Sequence, residues 1–333
     1  MDPIAFARGL IDIDSTTGRE GEAGRWLVRR LRDLGFFVTE QRVDADRINV
    51  IATVADGSRP VVVLSTHFDC VPPFFSSRLE GDRLYGRGSC DAKGILAAQV
   101  AAAERLRLKG ETRVGLLFVV GEERGSDGAK LANTAAAAGA RFLVNGEPTE
   151  SRLGAATRGI LRIRLHAEGR AAHSSFPELG VSAIDKLLDT LMELRRLALP
   201  EDPALGATYY TVGLISGGVA PNVVSPSAEA EIMFRTVGPA DDVRKAIASL
   251  ESRVSIEHVL EVPPIRMKVV PGFETAVFPY TTDIPFLSAW GQPLLFGPGS
   301  IIVAHTAHEF VPVPELHAAV DSYEQIARGL LAS

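Results

Sequence analysis

Cysteine is scarce in this chain of 333 residues, which contains only Cys70 and Cys90. Two cysteines are too few for a disulfide framework or for a zinc module built on cysteine ligands. Clustered tracts of lysine and arginine are also missing, and 41 acidic residues outnumber 35 basic ones, for a net charge of -6. This balance argues against nucleic acids and anionic membrane surfaces as partners, and it favours small molecules or proteins.

Long hydrophobic runs are missing as well. Apolar runs such as residues 114–120 are far too short to span a bilayer, and the first residues lack the basic and then apolar pattern of a signal segment. We therefore expect a cytoplasmic protein without a membrane partner. With 46% hydrophobic and 23% charged residues the composition is typical of a globular protein, and the length indicates two domains.

Predicted strands and helices alternate over residues 1–154, as in an α/β domain. The β-branched run that begins at Val61 is typical of a buried strand, and the positions of Leu27, Leu31 and Leu34 repeat with the period of a helix. Helices are predicted over residues 4–34 (with a break at 15–18), 93–108 and 128–138, and strands over residues 36–38, 48–52, 61–67, 114–120 and 142–144.

Side chains that can bind metals or carry protons lie at the ends of these strands or in the loops that follow them. Because open α/β sheets build their sites at the carboxyl ends of the strands, we expect these side chains to converge. The set consists of His67, Asp69, Asp91, Glu122, Glu123, Glu147 and His305.

Carboxylate oxygens mixed with imidazole nitrogens suit Zn²⁺, Co²⁺ or Mn²⁺. Two histidines and three carboxylates are enough for a pair of ions that share one bridging carboxylate, and such a pair can activate a water and polarise a carbonyl. A neighbouring carboxylate that does not bind metal could then carry the proton, which would give adjacent Glu122 and Glu123 different roles.

From about residue 155 the order of elements changes to strand, helix, strand, strand, helix, strand. This βαββαβ order is that of a ferredoxin-like α+β domain. The part after it is too short for a third domain, so we expect residues 155–265 to be inserted into a domain formed by residues 1–154 and 266–333. The elements are predicted over residues 161–166, 181–197, 208–216, 228–236, 240–252 and 255–260, with a last helix over residues 313–331.

Five stretches resemble the successive signatures of the M20 metallopeptidase family, and they occur in the same order. The family includes acetylornithine deacetylase, succinyl-diaminopimelate desuccinylase, aminoacylase and glutamate carboxypeptidases. The resemblance implies a mixed-sheet metal-hydrolase catalytic domain whose inserted ferredoxin-like domain acts as a lid and dimerisation domain. The stretches are residues 65–73 (STHFDCVPP), 86–94 (GRGSCDAKG), 121–123 (GEE), 146–149 (GEPT) and 304–310 (AHTAHEF).

The resemblance assigns a role to each residue of the predicted site. His67 and Glu147 would bind one metal ion, Glu123 and His305 the other, and Asp91 would bridge the two. Zinc is the expected metal, with cobalt or manganese as alternatives. Glu122 would be the general acid and base, and Asp69 would hold the imidazole of His67 in the tautomer that binds metal.

In the inserted domain, His173 resembles the family's histidine that reaches the active site of a partner subunit and stabilises the oxyanion. This role requires at least a homodimer. Asn222, Arg235 and Arg158 resemble substrate-binding positions, and arginine suits a carboxylate because its planar fork can bind both oxygens.

The sequence departs from the family pattern at three positions. His308 stands where Asp or Asn is usual, so it competes with His305 for the metal, and we prefer His305 because Ala304-His305-Thr306 aligns with the family pattern. Cys70 and Cys90 flank Asp69 and Asp91, and the sequence leaves open whether their thiols bind metal or respond to oxidation.

The predicted activity is hydrolysis of the amide of an N-acyl-L-amino acid, most like that of acetylornithine deacetylase. A dipeptidase or carboxypeptidase is the first alternative and a desuccinylase the second, since all of them need the same metals and differ in the pocket for the acyl group or side chain. A metal-free binding or assembly protein on the same scaffold is the alternative outside the enzymes.

Overall fold

The computed structural model describes residues 1–135 and 139–333. Within these residues the helices are α1 (Pro3–Ile11), α2 (Gly21–Asp33), α3 (Lys93–Leu108), α4 (Asp127–Asn133), α5 (Ala183–Leu194), α6 (Ala240–Ile247) and α7 (Val313–Leu331). The end of the helix predicted over residues 128–138 lies outside the described residues.

The strands are short in the large sheet and longer in the inserted one. In the described residues they are β1 (Phe37–Arg42), β2 (Ile48–Thr53), β3 (Val62–His67), β4 (Arg78–Glu80), β5 (Arg83–Tyr85), β6 (Val114–Val119), β7 (Phe142–Asn145), β8 (Leu153–Thr157), β9 (Gly159–Glu168), β10 (Glu201–Asp202), β11 (Gly206–Ala207), β12 (Tyr209–Gly217), β13 (Ser227–Thr236), β14 (Ser255–Val262), β15 (Ile265–Arg266), β16 (Thr275–Phe278), β17 (Gln292–Leu295) and β18 (Phe310–Pro312).

The chain folds into two compact units. The large unit comprises Met1–Ala155, Met267–Ala276 and Thr282–Ser333, and the inserted unit comprises Ala156–Arg266 and Val277–Thr281. No helix in the described part of the chain is both long and apolar enough to cross a membrane.

The large unit contains a six-stranded mixed sheet in the order β1-β2-β6-β3-β7-β17. Strands β6, β3, β7 and β17 are parallel to one another, and β1 and β2 pair antiparallel at the other edge. The carboxyl ends of β3, β6 and β7 therefore lie side by side at one edge of the sheet. The residues that follow these three strands are brought together there.

Strand β3 is buried on both faces, which explains why its sequence is a continuous apolar run rather than an alternation. Val62 and Leu64 face the core formed with α1, α3 and α7, whereas Val63 faces a second core that includes Trp290. Helix α3 is almost wholly buried. Its alanines allow close packing, and the sequence predicted its bounds because no exposed face interrupts the apolar pattern.

The inserted unit is built on an antiparallel sheet in the order β12-β13-β9-β14. Helices α5 and α6 contribute Leu187 and Val243 to the core on this sheet. Since β9, α5, β12, β13, α6 and β14 follow one another along the chain, the predicted βαββαβ order is confirmed.

The sequence did not predict a small three-stranded sheet in the large unit, in the order β18-β5-β4. Each of its strands has three residues, too few for a period to show. It pairs Phe310 with Tyr85 across the fold, and such a pairing depends on tertiary structure.

Candidate active site

Asp91 lies between His67, the last residue of β3, and His305. Its Oδ1 is 3.0 Å from Nε2 of His67, and its Oδ2 is 3.3 Å from Nε2 of His305. Nε2 of His305 is also 2.9 Å from Oε1 of Glu123. One carboxylate thus presents a different oxygen to each side of the site.

The ligand atoms fall into two groups that share Asp91. One group is His67, Asp91 and Glu147, and the other is Asp91, Glu123 and His305; within each, the candidate atoms lie within 4.8 Å of one another. The sequence predicted the members of both groups.

The donor set of these groups fits divalent metal ions. Each has one imidazole nitrogen and two carboxylates, a combination that zinc and its neighbours in the first transition row accept. In addition, Oε1 of the buried Glu147 has no hydrogen-bond partner among the described residues. Because a buried carboxylate oxygen is costly to leave unpaired, this atom is suited to receive a cation.

Burial and charge change the pKa values of the ligand candidates. Burial raises the pKa of Glu147 well above its usual range, and it also raises that of Glu123. Hydrogen bonds to Asp91 and Glu123 raise the pKa of His305 to about 10. Burial alone would lower the pKa of His67, but hydrogen bonds to Asp69 and Asp91 outweigh it, so that pKa is raised. The negative charge of the carboxylates thus favours the protonated form of both histidines.

Asp69 is buried beside His67 and connects two parts of the site. The backbone carbonyl of Asp69 is 3.1 Å from Nδ1 of His67, and its Oδ1 is 3.4 Å from the same nitrogen. The carboxylate also accepts the backbone N–H groups of Glu122 and Glu123 and the hydroxyl of Thr17. Asp69 therefore holds both the imidazole and the turn that follows β6.

Glu122 and Glu123 form a single turn of 3₁₀ helix directly after Gly121. Gly121 has a φ of +78°, and a Cβ atom there would lie 1.8 Å from Oδ1 of Asp127, so only glycine fits. The turn directs Glu123 to His305, while Glu122 belongs to neither ligand group. Burial raises the pKa of Glu122 well above its usual range.

The competing candidates from the sequence lie apart from the ligand groups. His308 is exposed, and among the described residues it belongs to neither group. Cys70 and Cys90 are buried free thiols outside both groups as described. Burial raises the pKa of Cys70 to about 12, so its thiolate form is disfavoured.

The four predicted residues of the inserted unit differ in their surroundings. His173 is exposed, and its Nδ1 accepts the backbone N–H of Ser175 at 3.1 Å. In the neutral ring the proton is then on Nε2, which is left as a donor. Asn222 is exposed and accepts the N–H of Ser174 through its backbone carbonyl.

Arg235 lies on β13, and no hydrogen bond or ion pair to its guanidinium occurs in the described part of the chain. In contrast, the guanidinium of Arg158 donates to the backbone carbonyls of Leu205 and Ala207 and lies over the ring of Tyr209. Its role in substrate binding stays a prediction.

Further buried carboxylates, among them Glu20, Asp283 and Glu309, were not assigned from the sequence. Burial raises the pKa of Glu20 and of Asp283 to about 7 in each case, and Glu309 is completely buried against the loop that carries Asp91. Glu309 lies inside the fifth family-like stretch and could have been singled out there. For Glu20 and Asp283 no sequence signal was available.

An α/β sheet edge that presents two adjoining ligand groups, with an inserted ferredoxin-like unit, defines a class of metal-dependent hydrolases. Peptidase family M20/M25/M40 matches residues 63–329 of the chain. The chain belongs to this family and is a hydrolase of the M20 type, so the fold and the enzyme class predicted from the sequence are confirmed.

Three known proteins illustrate the relationship. A probable carboxypeptidase of Aspergillus clavatus is 36% identical over 372 residues, which cover 98% of this chain and 82% of that protein. Aminopeptidase PepT of Bacillus cereus superposes with a TM-score of 0.82 at 19% identity, covering 99% and 98% of the two chains. A dinuclear metal binding peptidase of the M20 family from Bacillus subtilis gives a TM-score of 0.74 at 15% identity, covering 99% and 97%. The two structures establish the fold alone.

Proposed function

We propose that the protein hydrolyses the amide bond before a terminal amino acid whose α-carboxylate is free, and that it uses two divalent metal ions. One observation carries the proposal: Asp91 presents one oxygen to each of two ligand groups, and Glu122 stands outside both next to Glu123. This arrangement separates residues suited to hold metal from a carboxylate suited to move a proton.

His67 and Glu147 would hold one ion, Glu123 and His305 the other, and Asp91 would bridge them. Zn²⁺ suits this donor set best, and Co²⁺ and Mn²⁺ are alternatives. When bound, two such ions polarise the scissile carbonyl and lower the pKa of a coordinated water toward about 7.

Glu122 would accept the proton of the attacking water and return it to the departing amine. Burial raises its pKa, which makes it a stronger base than an ordinary carboxylate and, once protonated, a usable acid near neutral pH. Asp69 accepts the backbone N–H groups of Glu122 and Glu123, and so fixes the main chain from which the carboxylate of Glu122 extends.

Arg235 and Asn222 would hold the free carboxylate of the substrate, with Arg158 as a further contact. The guanidinium of Arg235 lacks a partner in the described residues, so it can bind both oxygens of a carboxylate. Because the carboxylate would be bound at a fixed distance from the scissile bond, the site would select substrates that end in an amino acid.

His173 would complete the site of a partner subunit by donating from Nε2 to the oxyanion. A homodimer through the inserted unit is therefore part of the proposal. Strand β12 lies at a sheet edge and exposes Leu214 and Ile215 by 66% and 58%, and helix α5 exposes Leu188 and Met192 on one face. A long apolar edge strand is normally covered in a stable protein, and a second copy would cover it.

Two candidate activities differ in the acyl side of the substrate. The relative named probable carboxypeptidase favours a peptide, so that the protein would act as a carboxypeptidase or dipeptidase. The sequence motifs resemble those of acetylornithine deacetylase, which favours an N-acetyl or N-succinyl amino acid. Both reactions break the same bond relative to the free carboxylate.

A substrate panel with defined metal content tests the proposal. Protein purified without chelator is assayed with dipeptides, longer peptides, and N-acetyl and N-succinyl amino acids, each beside its C-terminal amide. We expect turnover of at least one free acid, loss of that turnover with a chelator, and recovery with Zn²⁺ or Co²⁺. Turnover unaffected by complete metal removal would contradict the metal assignment, and equal turnover of acid and amide would contradict the carboxylate requirement.

A further inference from the structure

Glu309 is fully buried, although it carries a charge and binds no metal in the scheme above. Its Oε1 accepts the backbone N–H groups of Gly88, Cys90 and Asp91 at 3.0, 3.1 and 3.1 Å. Three N–H groups that converge on one oxygen form a concave anion site of the kind backbone turns build. The carboxylate of Glu309 occupies it.

The second oxygen of this carboxylate has its own partner. Oε2 of Glu309 accepts a hydrogen bond of 2.6 Å from Nη1 of Arg87, and Arg87 is only 2% exposed. Arg87 is fixed in turn, since its Nε donates to the carbonyl of Pro73 and its guanidinium lies over the ring of Phe75. A buried carboxylate is tolerated where hydrogen bonds and an opposite charge replace its water, and both are present here.

The loop of residues 86–91 is restricted to this backbone conformation by its packing. Gly88 has a φ of +87°, and a Cβ atom there would lie 2.7 Å from Sγ of Cys70. The backbone N–H of Gly86 also donates to the backbone carbonyl of Glu309. Glu309 thus binds residues 86–91 through its main chain and through both side-chain oxygens.

We propose that Glu309 is a positioning residue that fixes Asp91 so that its two oxygens face the two ligand groups. The inference rests on the proposed function, because it takes Asp91 to be the residue shared by two metal ions. Its physical basis is that a hydrogen bond to the backbone of Asp91 restricts the peptide unit from which the bridging carboxylate extends. Displacement of Asp91 would weaken the binding of both ions, since each would be bound by one of its oxygens.

The alternative route runs through His305, because Glu309 lies only four residues after it. If Glu309 acted through the segment that carries His305, loss of Glu309 would lower the affinity for one ion and leave the affinity for the other unchanged. The number of ions affected therefore separates the two routes.

Two variants test the proposal. Glu309→Asp keeps the negative charge but shortens the side chain by one methylene, so its carboxylate withdraws from the three N–H groups. Glu309→Gln keeps the length and one acceptor oxygen but removes the charge that Arg87 pairs with. Glu309→Asp separates the placement of the carboxylate from its charge, and it also tests the proposal if Glu309→Gln does not fold.

The metal-free protein is titrated with Co²⁺, and the visible absorption of the bound Co²⁺ is recorded. The affinity for Zn²⁺ is measured by competition with a chromophoric chelator. His305→Ala should lose the ion that His305 would bind, so comparison with the wild type shows which part of the spectrum belongs to that ion. Leu31→Ala, a truncation in the core of the same unit on α2, is the control for reduced stability, which thermal unfolding of the metal-free proteins monitors.

We expect Glu309→Asp to bind both Co²⁺ ions about 10- to 100-fold more weakly, as is usual when a group that orients a ligand is changed. Leu31→Ala should unfold at a lower temperature and bind both ions like the wild type. Unchanged affinity for both ions in Glu309→Asp, or weaker binding only of the ion at His305, would overturn the proposal. If the wild type itself bound neither Co²⁺ nor Zn²⁺, the proposed function would fail instead.

Discussion

Oδ1 of Asp69 accepts the backbone N–H of Glu122 at 3.1 Å. A residue that follows β3 therefore holds the turn that follows β6, although 53 positions separate the two in sequence. The same carboxylate lies beside Nδ1 of His67. The proposed metal ligand His67 and the proposed proton carrier Glu122 are thus held by one buried group, and a change there should affect both.

Asp69→Asn should lower the affinity for divalent metal. Its amide nitrogen cannot accept a backbone N–H, so one of the bonds to Glu122 and Glu123 is lost, and the imidazole of His67 loses a negative neighbour. We expect about 10- to 100-fold weaker Zn²⁺ binding in chelator competition. Thr17→Val, which removes one hydroxyl donor to Asp69, should have a smaller effect; wild-type affinity in Asp69→Asn would contradict the assignment.

Glu122→Gln should keep its metals and lose turnover. The amide has the shape of the carboxylate but cannot carry the proton, and general acid and base catalysis accounts for roughly 10²- to 10⁴-fold in rate. Metal content from elemental analysis and kcat on the best substrate of the panel are the two measurements. Glu80→Gln, an exposed control, should retain both, and an active Glu122→Gln enzyme would refute the role.

Glu20→Gln should stabilise the protein at neutral and alkaline pH. Burial raises the pKa of Glu20 from 4.5 to about 7, so the folded state holds this proton more tightly than the unfolded chain. The contribution of Glu20 to the free energy of unfolding therefore falls as pH rises from 4.5 to about 7, and it stays low above.

Removing the charge should recover on the order of 2–3 kcal/mol at pH 8. Arg47 keeps Asp44 and Asp127 as partners, so the variant leaves no isolated cation. Urea unfolding of wild type and variant at pH 5 and pH 8 measures the effect. A difference between the two proteins that does not depend on pH would contradict it.

His173→Ala and Glu122→Gln should complement each other when mixed, if His173 acts in a partner's site. In a hybrid dimer, the subunit with His173→Ala retains Glu122 and receives His173 from the other chain. After exchange, random pairing should restore about one quarter of wild-type activity, since half of the dimers are hybrids with one complete site. No recovery, with exchange verified by mass spectrometry, would remove the role in trans.

Leu214→Glu should convert the proposed homodimer to a monomer. A charge on the exposed edge strand β12 cannot be buried against a second copy without a large cost. Light scattering gives the oligomeric state, and circular dichroism verifies the fold. Glu257→Lys on β14, whose side chain is also exposed, is the control at the opposite edge; a wild-type protein that is fully active as a monomer would refute the dimer.

The sequence by itself determined the order of elements and the chemical kinds of side chain at the strand ends. Helices α3 and α7 were predicted to their last residues, because a continuous apolar, alanine-rich run and a periodic apolar pattern are both recognised from neighbouring positions alone. The seven side chains of the predicted site were also named in advance, since each follows a strand or lies in a family-like stretch.

Only the tertiary structure decided how these side chains are held. The contacts of Glu309 with residues 87–91 join positions more than 200 residues apart, and the engagement of Arg158 with Leu205 and Ala207 depends on a loop with no sequence pattern of its own. Hydrogen bonds between distant segments exist only once the chain has closed around them. For this reason the sequence could supply the proposed ligands of the site, whereas the groups that place those side chains came from the fold.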